Sequence, residues 1–169
     1  MQSIHVVPAG DLERQKRRRD SALTAVWDLL DEVMDPEVPV LSLWDLGVLQ
    51  DVRQDKAGLV ITMTPTYSGC PALETMREDI MAKLKTIGCH DVRVETRLSP
   101  AWTTDWLSAS ARQRLMRHGI SPPVIGEQVA CPQCGSLVSE QVSEFGSTAC
   151  KALYRCKECL EPFDYFKPL

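Results

Sequence analysis

Two cysteine pairs near the end of the chain, Cys131-Pro132-Gln133-Cys134 and Cys156-Lys157-Glu158-Cys159, restrict the fold more than any other feature. Each Cys-x-x-Cys turn can place two sulfurs on one metal while successive backbone N–H groups point at them. The segment between the pairs has about the length of a β-hairpin, the arrangement of a four-thiolate tetrahedral site. Tetrahedral sulfur selects zinc or iron, and a closed four-cysteine site keeps no open position for catalysis. The spacing predicts a zinc ribbon over residues 130–169. There Zn2+, held by Cys131, Cys134, Cys156 and Cys159, substitutes for a core that about forty residues cannot build. A rubredoxin-like iron or a labile iron–sulfur cluster would use the same ligands. Cys150, between the pairs, is surplus to them. A fifth thiolate beside a negatively charged metal site is disfavoured, so Cys150 is expected to pack inside the ribbon.

The chain has seven cysteines, five of them after residue 130, and this odd, clustered count argues for metal ligation in a reducing compartment rather than disulfides. A net charge of −4 opposes the electrostatic footprint of a nucleic-acid-binding protein. No apolar run approaches the length of a membrane helix, and the first twenty residues lack the apolar core and cleavage site of a secretory signal. A cytoplasmic protein with no membrane partner is expected.

Ile120-Ser121-Pro122-Pro123-Val124-Ile125-Gly126 reads as the start of a linker over residues 120–129. Residues 1–20, with the run Arg14-Gln15-Lys16-Arg17-Arg18-Arg19, read as a basic tail, solvated or frayed, that could touch an acidic partner. The rest, residues 21–119, has an α+β pattern: helices packed on a small mixed sheet. Leu23, Val26, Trp27, Leu30 and Met34 predict a helix over 21–34. A loop stiffened by Pro36 and Pro39 follows, in which Asp35, Glu37 and Asp45 are hydrogen-bond acceptors near a site or else caps and turn formers. Residues 48–53 and 59–63 alternate as a hairpin turning at 55–58, with one buried and one partly polar face. Leu73, Met76, Ile80, Leu84 and Ile87 line a helix stopped by Gly88; Cys89 and His90 after it have no companion ligand spacing. A third strand over 91–98 and a helix over 108–118 complete the domain. Trp102 and Trp106 lie on the loop between them, either plugging the core or half exposed to dock a partner.

The stretch Thr64-Pro65-Thr66-Tyr67-Ser68-Gly69-Cys70-Pro71 joins the second strand to the long helix. Pro71 suits a first helical position, which would make Cys70 the N-cap. The unpaired N–H groups and positive end of a helix stabilise a thiolate, the form that binds metal or attacks an electrophile. Cys70 is therefore the candidate reactive thiol.

With these motifs in view, Asp35-Pro36-Glu37-Val38-Pro39, Asp45-Leu46-Gly47, Thr64-Pro65-Thr66 to Cys70-Pro71 and Pro100-Ala101-Trp102-Thr103 to Asp105-Trp106 resemble the small α/β domain of SufT-type iron–sulfur assembly proteins. The ribbon, with the run from Gly146 to Cys156 and Glu161-Pro162-Phe163-Asp164-Tyr165-Phe166, extends the resemblance to the D-subunit family of bacterial phenylacetyl-CoA ring epoxidase systems. The resemblance implies an accessory factor, not the oxygenase itself, which helps install a metallocentre in the reductase or oxygenase component. It implies Cys70 as the reactive cysteine, Asp35 and Glu37 as its acidic loop, and Thr66 as a supporting residue. One thiolate cannot hold a two-iron cluster, so a transient cluster at Cys70 would need a homodimer or a partner's thiols. A rival expectation is a structural adaptor docking on the epoxidase through Trp102, Trp106 and the ribbon.

Overall fold

The computed structural model of the chain describes residues 9–124, 126 and 128–169. The first eight residues of the expected basic tail, and positions 125 and 127 of the expected linker, lie outside the described residues. The chain divides into two units, Met1–Ala109 and Ser110–Leu169, each organised around its own sheet.

In the first unit the hairpin forms where the alternation places it. Strand β1 (Leu49–Asp55) pairs antiparallel with β2 (Gly58–Met63) across a two-residue turn, with the Asp55 carboxylate accepting from the Ala57 N–H at 2.8 Å. Gly58 has φ +125°, and a Cβ there would run into the Asp91 carbonyl, which precedes the third strand. Strand β2 then pairs parallel with β3 (Val92–Thr96), giving the order β1-β2-β3. A parallel pair needs a crossover, and helix α3 (Leu73–Lys85) supplies it. Met76, Ile80 and Leu84, one turn apart, form its buried stripe. Ile87, expected on that stripe, falls beyond the last turn and is exposed. Because β2 is the central strand, Val60 and Thr62 are as fully buried as Ile61 and Met63; the partly polar face expected from alternation is covered.

Helix α2 (Thr24–Leu30) is shorter than the expected 21–34. Val26, Trp27 and Leu30 are buried as the periodicity requires, but the backbone then leaves the helix. The Val33 carbonyl accepts from the Leu43 N–H, and Met34 bridges to Ser42. The larger departure is α1 (Ala9–Arg19): what reads as a solvated basic tail is a helix packed on the first unit, and Arg14 is only 1% exposed.

The second unit contains α4 (Ala109–Arg117) and a sheet ordered β4-β7-β6-β5, from β4 (Ile120–Ser121), β5 (Ser139–Ser143), β6 (Lys151–Cys156) and β7 (Pro162–Phe166). The start of the expected linker is therefore a strand: Ile120 and Ser121 pair parallel with Asp164 and Tyr165. Pro122 and Pro123, lacking N–H groups, end that pairing, and the Arg112 guanidinium donates to the Pro123 carbonyl at 2.8 Å. Val129, Ala152, Phe163 and Tyr165 form, with Cys131 and Cys156, the small core of the ribbon.

Candidate functional site

Strand directions place three connections at one end of the first sheet. The loop entering β1 arrives where the loops leaving β2 and β3 depart, since Leu49 pairs with Met63 and Met63 with Thr96. The carboxyl ends of parallel strands are where α/β sheets gather ligand-binding loops. Hydrogen bonds fasten these three together. The Thr64 N–H donates to the Val48 carbonyl and the Arg97 N–H to the Met63 carbonyl, at 2.9 and 2.8 Å. The Trp102 indole N–H donates to the Leu46 carbonyl at 3.1 Å, and the Ser108 hydroxyl to Asp45 at 3.0 Å.

Cys70 lies on the loop leaving β2, but its setting corrects the sequence expectation. The N-cap of α3 is Ala72; Cys70 precedes it by two residues, its N–H donating to the Tyr67 carbonyl at 3.3 Å and its carbonyl accepting from the Leu73 N–H at 3.4 Å. Ala rather than Cys caps the helix because residues 68–72 form two successive turns before the helix begins. The residue is 6% exposed, so the thiol is not the open, dipole-facing group that the Gly-Cys-Pro order predicts. Ser68 and Gly69 just before it are exposed, and Thr66 is half-buried.

Asp35 is buried, and its carboxylate accepts from the Glu37 and Val38 N–H groups, both at 2.8 Å. This is the turn-forming alternative for an acidic residue before proline. Glu37 is half-buried on the same turn. Of the two expectations for the tryptophans, burial fits the plug. Trp102 and Trp106 are 5% and 8% exposed, packed as plugs with little surface of their own. Gly47, at φ +80°, sits so close to the Trp106 Cβ that any side chain there would clash.

The residue that sequence reasoning missed is Arg14. Its guanidinium donates to the carbonyls of Trp106 at 2.7 Å, Trp44 at 2.6 Å and Leu49 at 3.2 Å, and pairs with Asp11 at 3.2 Å. It also lies over the Trp44 ring, 4.2 Å from its centre. Burial lowers its pKa to about 10, although Asp11 pulls the other way. Burial likewise raises the Asp11 carboxyl despite Arg14. Arg14 thus binds the loops around β1 and beyond β3 to α1. The signal was present as the spacing of Asp11, Arg14 and Arg18 on one helical face, but a charged stripe is invisible to an apolar periodicity.

In the second unit the four knuckle cysteines do come together. All four sulfurs lie within 4.8 Å of one another, with Cys131 and Cys159 3.7 Å apart and Cys134 and Cys156 3.5 Å apart. A tetrahedral ion bound at about 2.3 Å sets sulfurs about 3.8 Å apart, so the cage fits one thiolate-bound metal. The two knuckles have matching backbones. Gly135 and Leu160, each just after the second cysteine, have φ of +74° and +65°. The Cys131 N–H donates to the Ser136 carbonyl and the Cys156 N–H to the Glu161 carbonyl. The chemistry of the donor set also calls for a cation. The Cys159 N–H holds Cys156 down to about 6. The Glu161 N–H favours the Cys159 thiolate, but burial and the neighbouring thiols push Cys159 up to about 12. Cys150 is no ligand. It precedes β6 at the end opposite Cys156, about 20 Å away at about 3.3 Å per residue, and is buried with its sulfur 3.1 Å from the Thr148 hydroxyl.

No helix among the described residues is long and apolar enough to cross a membrane. Residues 23–96 match the iron–sulfur cluster assembly protein family and residues 125–167 the PaaD zinc beta ribbon domain. The chain is 51% identical, over 84% of its length and 90% of the relative's, to a protein of Escherichia coli (strain K12) named as the D-subunit of 1,2-phenylacetyl-CoA epoxidase. It is 35% identical, over 52% of its length and 84% of the relative's, to a protein of Porphyromonas gingivalis (strain ATCC BAA-308 / W83) named as an Fe-S protein maturation auxiliary factor. Among solved structures it shares its fold with a domain of unknown function, DUF59, from Bacillus anthracis: TM-score 0.51, 26% identity, covering 62% of this chain and 95% of that one.

Proposed function

Because the chain belongs to the D-subunit family of 1,2-phenylacetyl-CoA epoxidase, we propose that it is an accessory maturation factor of that monooxygenase, assisting insertion of the iron–sulfur cluster of its reductase component. The observation that carries this reading is the joining, in one chain, of an iron–sulfur assembly domain at 23–96 with a PaaD zinc ribbon at 125–167. The likeness to an Fe-S protein maturation auxiliary factor supports the first half of it. The ribbon's ion is zinc, a closed structural site that supplies folding energy and leaves the chemistry to the first unit.

Cys70 is the delivering thiol in this proposal. One thiolate per chain cannot hold a two-iron cluster, which generally takes four protein ligands. Two chains, or one chain and its client, therefore share it, with the 67–71 turn opening as they meet. Asp35 acts by holding the loop at 35–38 in shape, while Glu37 and Thr66, both half-buried, are supporting polar groups.

The burial of Cys70 favours a second reading, in which the protein is a docking subunit and the thiol is a packing residue. One experiment divides them. Reductase is co-produced with wild type or Cys70→Ser under anaerobic conditions, and its iron and sulfide are measured. The maturation reading expects cluster occupancy to fall several-fold while the variant keeps its zinc and its fold. Full occupancy with a folded Cys70→Ser leaves only the docking reading.

A further inference from the structure

Residues outside the segment that matches the assembly family build a cleft against the end of the first sheet. Glu13 and Arg17 come from α1, Arg97 follows β3 and Trp106 lies further on; the matched segment adds Gln50, Asp51 and Thr64. The cleft holds about 170 Å³, room for one side-chain head group. We propose that it binds an acidic segment of a partner protein, seating one carboxylate between Arg17 and Arg97.

Both guanidiniums are available. Arg97 makes no side-chain hydrogen bond or ion pair among the described residues. Among the described residues Arg17 reaches only Gln50 Oε1, at 3.5 Å, the weak limit of a hydrogen bond. The other basic side chains of α1 are differently placed. Arg14 is spent on buried carbonyls and Asp11, Arg18 on Asp28 and Asp31, and Arg19 lies beside Asp20. A planar guanidinium meets a carboxylate through paired hydrogen bonds, and two can grip one such group. Lys16, exposed on the same helix, extends the positive field past the cleft.

Glu13 and Asp51 decide the source of the carboxylate. They repel any anion alike, but their oxygens accept from main-chain N–H groups, as Asp51 does from the Val52 N–H at 3.0 Å, and a peptide brings such groups where a free small acid lacks them. One member of the basic run, Arg17, thereby acquires a role in the wall of a docking cleft. Neither Cys70 nor the maturation reading enters this inference, so either can fail without the other.

The test uses the full chain, labelled with 15N and loaded with metal, titrated with acetylated and amidated hexaglutamate and separately with succinate. The peptide is expected to shift the Trp106 indole N–H signal saturably. Arg97→Glu and Arg17→Glu, each checked for an otherwise unchanged amide spectrum, are expected to weaken binding about tenfold or more. Lys85→Glu, the same charge change at the last turn of α3, is expected to cost less than about threefold, being screened by distance and salt. The inference is overturned if the peptide leaves Trp106 unmoved or if both arginine variants bind as wild type does. Succinate binding as tightly as the peptide also overturns it, since the ligand is then a free carboxylate.

Discussion

Arg14 shows how a charged residue can be as much a core residue as Trp27. Its guanidinium has traded water for three carbonyls, Asp11 and the Trp44 ring, and the opposite shifts of its pKa and that of Asp11 say that burial outweighs their mutual attraction. Removing one member of such a pair strands the other, so Arg14→Met is expected to destabilise the first unit by roughly 3–5 kcal/mol, whereas Asp11→Asn/Arg14→Met together should lose distinctly less. Urea unfolding of the wild type and both variants measures the difference. Leu160 is the counterpart in the ribbon: 63% exposed, with φ +65°, it buries little to offset its left-handed backbone. The matching position in the other knuckle is Gly135. Leu160→Gly is expected to stabilise the second unit by about 0.5–1 kcal/mol, the left-handed strain relieved less the extra chain entropy of glycine. A higher thermal midpoint for the loaded protein would register it.

At the scale of elements, the β1–β2 hairpin and the β2–β3 pair depend on a glycine and a carboxylate at one turn. Gly58→Ala would drive a Cβ into the Asp91 carbonyl, so it should cost more than about 2 kcal/mol and loosen β3 before β1. Hydrogen exchange at Val92–Thr96 reads this directly. Asp55 is held below the usual carboxylate range by the Ala57 N–H and by Arg93. A lowered folded-state value stabilises the fold above the ordinary 3.8 and ceases to do so as pH falls through that lowered value. Asp55→Asn should therefore be less stable than wild type at pH 7, with the gap closing toward pH 3, as urea titrations at both pH values would reveal. The α3 crossover has a different role. It begins three residues beyond Cys70, so the thiol sits in the turns leading into the helix and is buried there.

At the scale of the whole molecule, the two units have different sources of stability. Residues 9–109 have Trp27, Leu30, Ile61, Met63, Met76 and Ile80 wholly buried, whereas the ribbon's core is a few side chains around the cysteines. Stripping the metal with a chelator is expected to unfold the second unit and leave the first folded. Exchange protection should then vanish from Lys151–Cys156 and persist in Gly58–Met63. Loss of protection in both strands together would mean that the units are not independent.

The sequence by itself determined the metal cage, the hairpin and the crossover helix, and their membership of two known domain families, because each is written locally. A Cys-x-x-Cys turn, a two-residue alternation and a four-residue apolar step carry their geometry within a few residues. Only the tertiary structure decided which polar and aromatic residues are inside. Arg14 is buried because three carbonyls from two distant segments, the stretch entering β1 and the loop beyond β3, converge on it. Trp102 and Trp106 are plugs because the loops around Leu46 and Gly47 close over them. Cys70 is covered because the helix starts two residues later than Pro71 suggests. Ile120 and Ser121 are strand because β7, over forty residues on, offers them an edge. Burial is a property of what arrives from elsewhere in the chain, and no window of neighbouring residues contains it.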